Sequence, residues 1–295
     1  VWVALLAAPL MAQSPTIFRS DARLVVLHAT VLDPGGRLVT NLPEGAFHVF
    51  ENGVEQELKV FRREDAPVSI GLIIDDSGSM TNKRDKVAAA SLALIEASHP
   101  EDEIFVIHFN EKTYLDTDFT HDRQRLKKAL ETFDSRGTTS MRDALRLAIE
   151  HLRSKASEDK KVLIVITDGE DNTSLVSREQ VIRQAQQDGV LIYTVGILTE
   201  NDDDVTRRAR EELDALTQAT GGQSYYLKDA SEATQTALQI AHNIRNQYTL
   251  AYSPTHQELD GTFRRIEVRA TGPAPLTVLT RSGYWASIRP APQEH

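Results

Sequence analysis

The chain has 295 residues, 40% of them hydrophobic, which is enough for about two domains of ~150 residues, each with a sizeable core. Its 43 acidic and 33 basic side chains give a formal charge of −10, and no dense Lys/Arg cluster could track a phosphate backbone, which argues against nucleic acid as a partner. Cysteine is absent, so disulfides, thiolate chemistry and acylation at a lipobox cysteine are excluded.

The first element, within residues 1–20, is an apolar run from Val1 to Ala12 that is too short to span a bilayer and gives way to Gln13 and Ser14. It reads as the h-region and cleavage end of a secretory signal peptide, with the basic n-region and initiator Met missing. Pro9 and the abrupt polar turn weigh against a buried helix there. The expectation is export to the periplasm, cell surface or medium, with no membrane span in the chain.

Residues 21–66 alternate as short strands with turn signals at Asp33-Pro34-Gly35-Gly36 and Glu51-Asn52-Gly53. Residues 247–286 have the same texture, and 287–295 form a tail. Neither flank is long enough for a comfortable core of its own, so the two are expected to pair into one β-sandwich.

Between them, residues 67–246 alternate strand and helix. The pattern predicts strands at 68–75, 103–109, 161–167, 190–197 and 223–227, and helices at 83–98, 122–133, 139–154, 177–188, 205–219 and 231–246. Apolar stripes run along Leu145, Ala148, Ile149 and Leu152, along Val205, Ala209, Leu213 and Leu216, and along Thr234, Ala237, Leu238, Ala241 and Ile244. The expected fold is α/β, a doubly wound and mostly parallel sheet with helices on both faces, inserted into the sandwich. Glu200 to Asp204 is read as a helix start favoured by the macrodipole rather than as an ion site.

Ligands in such sheets bind beyond the carboxyl ends of the strands, and two strands end there in an acid. The strand through Ile74 runs into Asp75-x-Ser77-x-Ser79, and the strand through Thr167 runs into Asp168-Gly169. One carboxylate and two hydroxyls are hard oxygen ligands suited to a small divalent cation such as Mg²⁺. Neutral hydroxyls leave much of the ion's charge available to an incoming anion. The same residues also suit helix capping and a tight Asp-Gly turn, and Ser140 with Asp143 suits a capping box.

The three segments, with Thr139 four residues before Asp143, resemble the von Willebrand factor A family, whose metal-ion-dependent adhesion site combines an Asp-x-Ser-x-Ser loop, a later Thr and a later Asp-Gly after a strand. The resemblance implies a metal set of Asp75, Ser77, Ser79, Thr139 and Asp168, in which the serines and threonine touch the ion and the acids act through water or as hydrogen-bond acceptors. It implies a rim of Asp76, Gly78, Met80, Thr138 and Glu170 that selects the partner, with Gly78 expected to supply backbone freedom in the loop. Thr138 stands in for Thr139 if the register slips by one. The ion implied is Mg²⁺, with Mn²⁺ or Ca²⁺ as alternatives, and the partner is a protein offering an Asp or Glu carboxylate.

Thr30-Val31-Leu32-Asp33, Phe47 to Gly53, Tyr248 to Pro254 and Arg281-Ser282-Gly283-Tyr284 are similar to a bacterial subgroup of the family known from acidobacteria. That likeness extends over roughly residues 20 to 286 and supports the inserted arrangement.

Enzymatic readings fit less well. A haloacid dehalogenase-type phosphatase needs an Asp where Ser77 stands, and Gly-x-Ser-x-Gly and Walker patterns are absent. His99, His108, His121 and His151 lack metal-ligand spacing. The expectation is therefore a non-enzymatic, exported adhesion or assembly module. The alternative is a scaffold whose ion only staples loops while the sandwich binds the partner, and a hydrolase comes third.

Overall fold

A computed structural model describes residues 24–63, 65–132, 135–198 and 204–287. The expected leader, the tail beyond residue 287 and most of the acidic run at 200–204 lie outside the described residues. Six strands form the central sheet: β5 (Ser69–Asp75), β6 (Glu103–Phe109), β7 (Thr113–Thr120), β8 (Lys161–Thr167), β9 (Val190–Gly196) and β10 (Ser224–Tyr226), in the order β10-β9-β8-β5-β6-β7. All neighbours are parallel except β7, which returns antiparallel on β6.

The alternation of β-strand side chains divides the buried residues between two helical layers. Ile70, Leu72 and Ile74 of β5 face α1 (Arg84–Ala97), α2 (Arg123–Ala129) and α6 (Ala233–Arg245). Ile73 faces α3 (Met141–Lys155), α4 (Arg178–Asp188) and α5 (Asp204–Thr220). Gly71 lies on that second face, where a Cβ would come within 2.4 Å of the Phe105 ring and 2.5 Å of Leu163, so those side chains close over the strand's backbone. Ser177 caps α4 with a full capping box to Gln180, and Gly189 ends it at φ 68°.

The flanks supply β1 (Val25–Leu32), β2 (Phe47–Glu51), β3 (Val54–Gln56) and β4 (Leu58–Arg62) before the central sheet. After it come β11 (Tyr248–Tyr252), β12 (Phe263–Ala270), β13 (Thr277–Leu279) and β14 (Gly283–Trp285). They form two four-stranded sheets, β13-β1-β11-β4 and β14-β12-β2-β3, each mixing strands from both flanks, as expected of a sandwich that the α/β unit interrupts. Leu27, Val49, Tyr248, Leu250 and Tyr252 share its core, where the buried Glu51 carboxylate accepts from Tyr252 at 2.7 Å and Tyr284 at 2.9 Å. Arg281 joins the units, donating to the Gln186 carbonyl at 3.2 Å and the Val26 carbonyl at 2.8 Å.

Some local expectations change. β7 lies in a stretch for which the sequence pattern predicts neither strand nor helix. The stretch before α1 is a 3₁₀ helix, Gly78–Lys83, and the second helix stops at Ala129 and continues as 3₁₀ over Leu130–Thr132. On α6, Leu238 is 57% exposed and Thr234 is exposed, while Ala233, Ile240 and Asn243 are buried. The helix is therefore rotated from the expected stripe, because Ala233 and Ile240 belong to the face that packs on α1 and the sheet. Val205 on α5 is likewise exposed, with Thr206 buried in its place.

Candidate metal centre

β5 and β8 are adjacent and parallel, so Asp75 and Asp168 emerge together at the carboxyl edge of the sheet. Both are buried. The Asp75 carboxylate is fully engaged: Oδ1 accepts from the Ser77 amide at 3.0 Å and Oδ2 from the Thr167 hydroxyl at 2.6 Å. Burial, reinforced by the charge of Asp168, pushes the Asp75 carboxyl up to about 7. The Ser77 and Ser79 hydroxyls lie 3.1 Å apart, with Ser77 buried and Ser79 exposed.

Thr139 is brought in by the loop before α3. Its carbonyl accepts from the amides of Asn172 and Thr173, both at 3.1 Å, and its amide donates to Asn172 Oδ1 at 3.1 Å. The residue is 2% exposed, yet its hydroxyl has no hydrogen-bond partner among the described residues. That oxygen is not sealed from solvent, and a hydroxyl that no protein group engages is open to a divalent cation. The donor set therefore fits a hard cation, with Ser77, Ser79 and Thr139 able to reach it through neutral oxygens and Asp75 placed to orient those groups. The alternative reading of Ser140 and Asp143 as a capping box does not hold. The Ser140 hydroxyl donates to the Asn110 carbonyl at 2.6 Å, while Asp143 accepts from the amides of Leu175 and Val176.

The expected rim divides. Thr138 and Gly78 are exposed and Glu170 is half-buried. Asp76 and Met80 are 2% and 0% exposed and cannot meet a partner directly. Asp76 instead accepts from the Ser135 amide at 2.7 Å and its hydroxyl at 3.1 Å, holding the loop that carries Thr139, and Met80 sits in the core under α1. Gly78 has no positive φ. Its role is close approach, its amide donating to the Gly137 carbonyl at 3.0 Å where a Cβ would stand 3.2 Å from the same oxygen.

Nothing in the sequence marks Thr167, Asn172 or Thr173, although Thr167 stands next to Asp168 at the strand end. Lys83, whose Nζ donates to Asp168 Oδ2 at 2.8 Å, carried no recognisable signal. Elsewhere, exposed His256, Glu258 and Asp260 place ligand atoms within 4.8 Å of one another in the sandwich, but Asp260 is already held by Thr262 and Arg264.

A mostly parallel α/β sheet with helices on both faces is a doubly wound fold, whose ligands bind beyond the carboxyl ends of the strands, where these acids and hydroxyls gather. The von Willebrand factor type A domain model matches residues 69–270, and the chain belongs to that family. Calcium-activated chloride channel regulator 1 of Equus caballus is 28% identical over 169 residues, covering 55% of this chain and 17% of the regulator. An uncharacterised protein of Synechocystis is 26% identical over 185 residues, covering 61% of this chain and 42% of its own length. This chain thus spans less than half of either relative. A von Willebrand factor type A structure from Catenulispora acidiphila superposes with a TM-score of 0.53 at 15% identity, covering 92% of this chain and 75% of that one, so the likeness of fold reaches into the flanking sheets. Proteins of the family are mostly non-enzymatic adhesion or interaction modules, and they often bind a divalent metal.

Proposed function

We propose that this chain is a metal-dependent protein-binding module that acts outside the cytoplasm. A divalent ion, Mg²⁺ with Mn²⁺ or Ca²⁺ as alternatives, is held by Ser77, Ser79 and Thr139 with Asp75 and Asp168 behind them, and it binds an acidic side chain of a protein partner. The observation that carries this reading is the pair of buried acids on adjacent parallel strands, with the Ser77 and Ser79 hydroxyls 3.1 Å apart at the same edge and a Thr139 hydroxyl that no described residue engages. When bound, the ion supplies a positive centre for the partner's carboxylate. The chain's own residues do the rest: Thr167 and the Ser77 amide fix Asp75, Asn172 and Thr173 fix Thr139, and Thr138, Gly78 and Glu170 face the partner.

Unit charges ~4 Å apart interact by roughly 4 kcal/mol at an effective dielectric of ~20, and a divalent ion about doubles that, which is ample for carboxylate recognition before desolvation is counted. Export rests on the apolar run at Val1 to Ala12. No helix among the described residues is long and apolar enough to cross a membrane.

Selection of a displayed peptide library on the protein in Mn²⁺ and in EDTA tests the reading. Asp- or Glu-containing peptides should be enriched only with Mn²⁺ and lost on Asp75→Ala. Enrichment that is indifferent to EDTA contradicts it and favours the sandwich as the docking surface.

A further inference from the structure

Lys83 is the last residue of the 3₁₀ turn that carries Ser79, and its ammonium is paired at 2.8 Å with Asp168 Oδ2, the two side chains being 17% and 4% exposed. Building on the metal reading above, we propose that Lys83 is a resident cation of the centre: it lowers the site's affinity for the divalent ion and adds a positive charge to the loaded site that favours an anionic partner.

The reasoning is electrostatic. Asp75 and Asp168 are two buried carboxylates close enough for the charge of one to perturb the other. An ammonium on Asp168 offsets part of that repulsion, and in a buried setting the pair persists because breaking it leaves a charge unmatched. A divalent ion held beside Asp168 shares that acid with Lys83, and the two cations repel, so the ion binds less tightly than two carboxylates alone would allow. Once it is bound, Asp75 and Asp168 cancel its two charges, and Lys83 adds a positive charge beside them that offsets the nearby Asp76 and Glu170 and suits an incoming carboxylate. Neighbouring basic groups are committed elsewhere: Arg142 forks onto Asp171 and Arg84 donates to the Ser135 hydroxyl. The same side chain thereby trades ion affinity for partner affinity, so the two should move in opposite directions when it is changed.

Chelator-treated wild type, Lys83→Met and Lys83→Arg would be titrated with Mn²⁺ by calorimetry and melted without metal. The expected result is that Lys83→Met binds Mn²⁺ at least about tenfold more tightly than wild type, while its metal-free melting temperature falls by several degrees because Asp168 has lost its counter-charge. Lys83→Arg should track wild type in both. Unchanged or weaker Mn²⁺ binding by folded Lys83→Met, with wild type binding normally, overturns this inference and leaves the metal reading standing. Absence of Mn²⁺ binding by both overturns the two together. Lys83→Gln, which keeps a donor for Asp168 without the charge, gives the same comparison should Lys83→Met not fold.

Discussion

In the metal-free protein the Asp75 carboxyl is raised to about 7 by burial and by Asp168, against an unfolded value of ~3.9. A group raised on folding stabilises the native state fully below its unfolded value, and that contribution is lost as pH climbs through the folded one. Between pH ~4 and ~7, therefore, Asp75 makes the metal-free protein less stable as pH rises, and Asp75→Asn should flatten that slope in urea melts. Binding of a cation favours the ionised carboxylate, so Mn²⁺ affinity should fall on acidification from pH 7.5 to 6, with proton release on binding visible in buffers of different ionisation heat. Thr139→Val keeps the backbone bonds to Asn172 and Thr173 and removes only the unpartnered hydroxyl. It should weaken Mn²⁺ binding by about 10-fold or more with little change in metal-free stability. A variant that loses stability while binding Mn²⁺ normally would remove Thr139 from the ligand set.

At the scale of elements, the loop carrying Thr139 depends on Asp76, and Asp76→Ala should cost about 1–3 kcal/mol in denaturant melts by stranding the Ser135 amide. The strands, their order of appearance and most helices are legible in the sequence because continuous β-branched runs and helical stripes such as Leu145, Ala148, Ile149 and Leu152 report burial directly. β7 is not, since Tyr114 and Leu115 are both exposed and the edge strand shows no clean alternation. The face of α6 is also misread, because Leu238 outweighs its neighbours in hydrophobicity while the packing against α1 selects Ala233, Ala237 and Ile240. Strand-end acids and hydroxyls are visible as motifs. Their supports are not: Lys83 to Asp168, Thr167 to Asp75 and Thr139 to Asn172 join residues 85, 92 and 33 positions apart.

Across the whole molecule, the α/β unit and the sandwich are covalently joined twice and stapled through Arg281, Ser282 and Gln247, whose amide donates to Thr30 at 3.1 Å and Tyr193 at 3.2 Å. Replacing Arg281 by Ala removes charge-assisted bonds to two carbonyls and should destabilise the protein by about 2–3 kcal/mol, read as a lower midpoint in chemical denaturation. The proposed metal centre stands at the carboxyl edge of the sheet, whereas Arg281 ties the sandwich to Gln186 near the far end of α4, so that loss should leave Mn²⁺ affinity unchanged in the folded fraction.

Calorimetric titration of the chelator-treated protein with Mg²⁺, Mn²⁺ and Ca²⁺, beside Asp75→Ala, tests the central claim most directly. The account predicts one saturable site for at least one of these ions in the wild type and its loss in the variant, with the far-ultraviolet circular dichroism of the two alike. Saturable binding that survives Asp75→Ala unchanged, or no binding of any of the three ions, would contradict it.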